Sequence, residues 1–135
     1  MACAFCAIVA GEAPAHVVWS DERTLAFMDR APLVPGHVLV IPRTHSAELW
    51  EMSLEDGAAV MRTTLRVAAA VKGALNPEGM NLFHSTGEAA GQDVFHVHLH
   101  VVPRWRDDGF LPPVIPHRAG DPHLADTAAR IRAEI

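Results

Sequence analysis

The chain predicts one α+β domain whose sheet is mainly antiparallel and five-stranded, with one long helix and a C-terminal helix. Three observations carry this expectation: five short β-prone runs, one long segment of helical period, and no strict alternation of strand with helix. Residues 16–20 and 24–29 are β-prone and separated by Asp21-Glu22-Arg23, the shape of a hairpin. Pro32, Pro35 and Gly36 break the chain before His37-Val38-Leu39-Val40-Ile41, a β-branched run ended by Pro42 and expected as a central strand. From Ser53 the period changes: Leu54, Ala58, Met61, Leu65, Ala68, Val71 and Leu75 recur at three and four with charges between them, as in a long amphipathic helix. Ser53 with Asp56 resembles a capping pair at its start, and Asn76-Pro77 with Gly79 stops it. Residues 80–83 read as a fourth strand, 87–92 as a glycine-bounded loop, and 94–102 as a fifth strand ended by Pro103. Residues 104–122 are rich in Pro, Gly and charge, and 124–135 have helical spacing through Leu124, Ala128, Ile131 and Ile135.

Composition bounds the function classes. The chain has 135 residues, 11 Lys plus Arg against 16 Asp plus Glu, and 50% hydrophobic residues, so residues 1–135 form one domain with no room for a second. A net charge of −5 argues against an extended phosphate-backbone binder, so no long nucleic acid is expected as a partner. No run approaches the roughly 18 to 20 apolar residues that span a bilayer, so no membrane is expected either. The apolar start imitates a signal peptide, but Glu12 interrupts it and the first basic residue is Arg23, so it reads as folded protein. Cys3 and Cys6, the only cysteines, are too few and too close for a secreted disulfide framework, which fits a reducing cytoplasm.

Nine residues are His, so three at i, i+2, i+4 should arise by chance only about 0.04 times in such a chain. His96-Val97-His98-Leu99-His100 is therefore improbable as noise. On a strand all three imidazoles share one face and are presented at a surface, while Val97, Leu99 and Val101 enter the core. Such a row suits an open three-histidine metal site, or nucleophilic catalysis in which one imidazole attacks while its neighbours orient it. The preceding loop ending in Gly91-Gln92 lets backbone N–H groups approach an anion, which favours phosphate chemistry.

His96-Val97-His98-Leu99-His100-Val101-Val102 resembles the signature of the histidine triad (HIT) nucleotide hydrolases, in which His alternates with apolar residues. The resemblance extends over Phe5 and Ile8, Leu25-Ala26-Phe27-Met28-Asp29, Pro35-Gly36-His37-Val38-Leu39-Val40-Ile41-Pro42, His45, Ala90-Gly91-Gln92 and Pro103-Arg104. It implies the HIT-like fold, a homodimer, a purine nucleoside monophosphate site and attack at the α-phosphorus. By position, His98 is the implied nucleophile, His100 bonds to the phosphate or leaving group, and Gln92 contacts the phosphate. Asp29 accepts the ribose hydroxyls, and Phe5, Ile8 and Phe27 line the purine pocket. His100 favours a hydrolase, since nucleotidyltransferase relatives commonly carry Gln there.

Two positions depart from the pattern. Ser85 stands where relatives commonly have Asn, and Asp93 where they commonly have Ser or Thr. Asp93 either favours cationic amine leaving groups or points away to cap a turn. The resemblance to zinc-bearing branches implies a structural zinc on Cys3, Cys6, His45 and His96, with no catalytic metal. The leading expectation is cleavage of purine nucleoside phosphoramidates through a nucleotidyl-histidine intermediate. Alternatives are a dinucleoside polyphosphate hydrolase, a nucleotide-binding regulator with weak catalysis, and a three-histidine zinc hydrolase on His96, His98 and His100. The loop between Arg104 and Pro116 is a candidate for leaving-group selection. His16, His37, His84, His117 and His123 are expected to be solvated or hydrogen-bonded residues without a catalytic role.

Overall fold

A computed structural model describes residues 2–109 and 122–134. The element order is α1 (Ala4–Val9), β1 (Val17–Ser20), β2 (Thr24–Met28), β3 (Val38–Pro42), α2 (Leu54–Leu75), β4 (Gly79–Phe83), β5 (Leu99–Arg104) and α3 (Leu124–Ala133), with short 3₁₀ turns at Leu49–Glu51 and Glu88–Ala90. The five strands form one antiparallel sheet in the order β1-β2-β3-β5-β4, so β3 is central as expected. Among the described residues, no helix is long and apolar enough to cross a membrane. His117 and most of the 104–122 segment lie outside the described residues.

Every residue of β3 is buried because both faces of the sheet are covered. On one face α2 packs over Ala26, Val38, Val40 and Val101; on the other, Phe5 of α1 joins Leu25, Phe27, Leu39 and Ile41. The cap expected for α2 is present, with the Ser53 hydroxyl accepting the Asp56 N–H at 3.1 Å. Asp56 is also paired with Arg23 at 2.8 Å, across to the β1–β2 turn. Asn76 ends the helix in the left-handed region (φ 47°), and Lys72 Nζ donates to its side chain.

Two expectations need correction. First, most of the apolar row on α2 does not face the sheet: Ala68 and Val71 pack against it, but Leu54, Ala58, Met61, Leu65 and Leu75 are exposed. The buried face runs through Asp56, Ala59, Val60, Thr63, Thr64, Val67 and Val71. Thr63 and Thr64 read as polar in sequence, but Thr64 donates to the Val60 carbonyl at 2.8 Å and Thr63 pairs with Thr24 at 2.7 Å, so neither hydroxyl is left unsatisfied. Second, the fifth strand starts at Leu99 and continues through Pro103 to Arg104. Its pairing with β3 covers only Leu99 to Val101, because Pro42 offers no N–H beyond one end and β3 has given way to the Gly36 turn at the other. The missing N–H of Pro103 therefore interrupts no ladder with β3, while β4 still pairs along that edge. Residues 4–9, given no element from the sequence, are helical, with the Cys3 sulfur accepting the Cys6 N–H at 3.4 Å in place of the usual hydroxyl or carboxylate cap.

Gly36 turns the chain from β2 into β3 at φ +95°, a region that L side chains rarely adopt, and a Cβ there would meet Leu75 and lie 3.0 Å from Pro103 Cγ. Gly36→Ala is expected to destabilise the fold by about 1–3 kcal/mol, read as a lower urea midpoint.

Candidate active site and metal cluster

The triad keeps its alternation although its first half lies outside the ladder. His96, His98 and His100 lie on the α1 side of the sheet, while Val97 and Val101 are buried. The row is not presented at an open surface, however. His96 and His98 are buried, with the Phe5 ring against each of them. The Val97 N–H donates to the Ser46 carbonyl at 2.8 Å, which holds the irregular approach to β5 in place.

Each imidazole is oriented by its hydrogen bonds. His98 Nδ1 donates to the His96 carbonyl at 2.7 Å, so in the neutral ring the lone pair is at Nε2. His100 is set by a longer chain. The Leu33 N–H donates to His37 Nδ1 at 3.1 Å, which leaves the His37 proton on Nε2, and that nitrogen lies 2.9 Å from His100 Nδ1. His100 must then accept at Nδ1 and carry its own proton at Nε2. Burial is the main reason His37 is held below the ordinary histidine pKa, and burial with the nearby His98 and His37 brings His100 down to about 4. Both rings are neutral at pH 7. Phe83 stacks on His100 with centroids 4.3 Å apart, fixing the plane of the ring.

A second chain supports His98. His84 Nδ1 donates to the His98 carbonyl at 3.0 Å, so in the neutral ring Nε2 accepts from the Thr86 hydroxyl, whose oxygen in turn accepts the Leu49 N–H at 3.0 Å. His37 and His84, expected to have no catalytic role, are the residues that orient His100 and hold the His98 carbonyl. The available signal was their location, just before a central strand and at the end of β4, each one strand away from the triad in the sheet order.

A cavity of about 240 Å³ opens over the triad, lined by Asp29, Ala31, Leu33, His37, Phe83, Ser85, Gly91, Asp93, His98 and His100. Asp29, Ser85, His98 and His100 are therefore brought together in one cavity. Asp29 accepts the Ala31 N–H at 2.9 Å, and its other oxygen lies 3.6 Å from His37 Nε2. Phe5 and Phe27 are buried at 5.4 Å from each other, with Ile8 packed against the same cluster, in the core beside this cavity and not in its lining. Gln92 is buried, and its side chain is committed to the backbone: Oε1 accepts the Gly87 N–H at 2.7 Å, and Nε2 donates to the carbonyls of Ala47 (2.6 Å) and Val94 (3.1 Å). In this conformation both amide hydrogens are used, so Gln92 clamps the glycine loop and has none left for a phosphate.

The second cluster joins Cys3 and Cys6 of the α1 segment to His45 and His96. Cys3 Sγ and Cys6 Sγ lie 3.5 and 3.6 Å from His96 Nδ1, Cys6 Sγ lies 3.3 Å from His45 Nδ1, and the two Nδ1 atoms are 3.3 Å apart. A tetrahedral zinc with ordinary bond lengths requires edges of about 3.3 Å between nitrogens and about 3.6 Å between sulfur and nitrogen, so these four donors fit one ion. His96 Nε2 donates to the Pro42 carbonyl at 2.8 Å, leaving Nδ1 as the ligand atom. Burial and the adjacent Cys3 raise the Cys6 thiol pKa, a cost that a bound cation offsets.

A profile of the HIT domain matches residues 10–107. The chain belongs to the HIT domain family. The Protein hit of Bacillus subtilis is 40% identical over 109 residues, 80% of this chain and 75% of that one. A crystal structure of a Zn-bound histidine triad family protein from Mycobacterium smegmatis is 39% identical, with a TM-score of 0.78 over 100% of this chain and 99% of its own. The histidine triad nucleotide-binding protein of Candida albicans is 28% identical and superposes with a TM-score of 0.86 over 98% and 96% of the two chains. The expected family and α+β fold are therefore borne out.

The neutral state of His100 in this HIT protein has a consequence for stability. Its folded pKa of about 4 lies below the unfolded value of about 6.5, so between these pH values the unfolded chain binds a proton that the folded chain does not. The stability associated with His100 is complete above about pH 6.5 and is lost as pH falls toward 4. The urea midpoint should drop from pH 7 to pH 5, and less steeply in His100→Gln.

Proposed function

We propose that this HIT protein is a nucleotide hydrolase acting at the α-phosphate of purine nucleoside phosphoramidates. The observation that carries the reading is the orientation of His98, whose Nδ1–H is held by a backbone carbonyl while Nε2 faces a cavity large enough for a phosphoryl group. In this reading His98 Nε2 bonds to the α-phosphorus as the P–N bond breaks, and the leaving nitrogen keeps the electron pair and takes up a proton to depart as the amine. Water then cleaves the Nε2–P bond, giving the nucleoside monophosphate, a proton and the free imidazole. His100 Nε2–H and the Ser85 hydroxyl donate hydrogen bonds to the phosphoryl group or leaving atom. Asp29 receives the ribose hydroxyls, Phe5, Ile8 and Phe27 form the apolar base beside the purine, and Gln92 holds the loop that carries Gly91. The nucleotide-binding relative from Candida albicans supports the ligand class.

The reading includes a structural zinc on Cys3, Cys6, His45 and His96, supported by the donor spacing and by the Zn-bound relative from Mycobacterium smegmatis. When bound, zinc supplies folding energy by tying the α1 segment to the triad approach. It also includes a homodimer, supported by the exposed Leu54, Met61 and Leu65 on one side of α2.

The first test follows AMP release from adenosine 5′-phosphoramidate. Wild type should turn it over, and His98→Ala should lose about 10³-fold or more. Protein purified without chelator should carry about one zinc, and Cys6→Ser little, with a lower melting temperature. Chelation should leave the rate of the folded fraction unchanged; loss of turnover in chelated, still folded protein would instead identify a three-histidine zinc enzyme. Folded wild type that turns over neither this compound nor a diadenosine polyphosphate would be a binding protein. Light scattering should give twice the 14.6 kDa chain mass, and Met61→Glu with Leu65→Glu should give the single-chain mass.

A further inference from the structure

Among the described residues, Asp93 is the carboxylate paired with the nucleophile. Its Oδ1 accepts the Val94 N–H at 2.9 Å and lies 3.8 Å from His98 Nε2. The preceding residue, Gln92, is clamped to three backbone groups, so the Asp93 backbone starts from a fixed point. The two partners differ sharply in exposure: the Asp93 side chain is 83% accessible and that of His98 only 4%. Asp93 therefore stands on the solvent side of the nucleophile. The charge of the remaining lining points the same way. Asp29 is the other ionisable carboxylic acid, and no Lys or Arg belongs to the described lining. A phosphoryl group would meet here uncharged donors, with the exposed Asp93 carboxylate beside the nucleophile and no Lys or Arg among the described lining residues to balance it.

We infer that Asp93 is a specificity residue of this site: its carboxylate selects leaving groups that carry positive charge away from the scissile bond and disfavours anionic and polyphosphate leaving groups. The inference rests on the hydrolase reading above and narrows its substrate class to nucleoside monophosphates joined through a P–N bond to a diamine or similar cationic amine. A phosphorus within reach of His98 Nε2 is about 3–3.5 Å from it, with the leaving nitrogen roughly one further bond length beyond, so a charge at the end of a flexible alkylamine can turn back to within several ångströms of the carboxylate. At 4 Å in water a unit charge pair is worth a factor of about five, and less at longer range. Each sign of charge on the leaving group should thus change the rate roughly threefold to fivefold, with opposite directions for cation and anion.

The test uses three adenosine 5′-phosphoramidates whose alkylamines match in length and end in an ammonium, a methoxy group or a carboxylate. The ratio of kcat/KM for the cationic over the anionic conjugate is measured in wild type, Asp93→Asn and Asp93→Lys. The intrinsic basicity of each leaving nitrogen is common to all three proteins and cancels when their ratios are compared. Asp93→Asn should lower the ratio about tenfold at low ionic strength, and Asp93→Lys should lower it further. In wild type alone, 0.5 M salt should move the ratio in the same direction, a check that does not depend on any variant folding. A ratio that is the same in wild type and Asp93→Asn, or that is insensitive to salt in wild type, overturns the inference. The methoxy conjugate separates this failure from failure of the hydrolase reading: wild type that does not cleave it, or His98→Ala that cleaves it as fast, removes the parent reading instead.

Discussion

The buried hydrogen bond from His96 Nε2 to the Pro42 carbonyl is the constraint on which both the sheet edge and the site depend. Pro42 has no N–H to extend the ladder toward residue 97, so the pairing of β3 with β5 stops at Val40 and Leu99. A side chain takes over where the backbone cannot. The chain between His96 and His98 is thereby released from sheet geometry, and the His98 ring turns back onto the His96 carbonyl at 2.7 Å. The same bond leaves His96 Nδ1 facing Cys3, Cys6 and His45. One imidazole thus links the end of the central strand, the attachment of α1 and the orientation of the next histidine.

Direction in this network comes from backbone groups. A backbone N–H can only donate and a carbonyl can only accept, so the chain from Leu33 is set from its start. The chain through Thr86 is set from its other end, where the His98 carbonyl accepts the His84 Nδ1–H and leaves Nε2 to accept from Thr86. The first chain ends with a donor at His100 Nε2, and the second ends on the His98 carbonyl. Neutrality is required for this logic, because a protonated His37 would donate at both nitrogens and could not accept from Leu33. Burial supplies that neutrality, as the lowered pKa directions of His37 and His100 record.

The parts of this architecture that depend on local pattern are legible in the sequence. The β1–β2 hairpin, the central β3, the Ser53 cap and the Asn76 stop all rest on neighbouring residues, and each lies within a residue or so of its expected place. The four-residue Cys/His cluster was legible only through family resemblance, since Cys3-x-x-Cys6 alone says nothing of His45 or His96. What was misread depended on tertiary partners. The stripe through Leu54, Met61 and Leu65 has ideal helical spacing yet is exposed, because small and hydroxyl residues at 59, 63 and 64 let α2 sit close on the sheet with their polar groups satisfied. Residues 94–98 alternate like a strand but have no ladder partner. His37 and His84 act on the triad across strands, a relation that linear spacing does not carry.

Three residues of one type, spaced by two, are given three different environments here. Strand alternation places His96, His98 and His100 on one face but does not distinguish them. The distinction lies in what each ring's other nitrogen meets. His96 gives its proton to Pro42 and offers a ligand nitrogen; His98 gives its proton to the His96 carbonyl and offers a lone pair to the cavity; His100 accepts from His37 and offers a proton. A mutation that leaves all three histidines in place but reverses one of these bonds would alter the chemistry while preserving the motif. The triad is therefore a pattern that creates three equivalent positions, and Pro42, the His96 carbonyl and His37 are the groups that make them different.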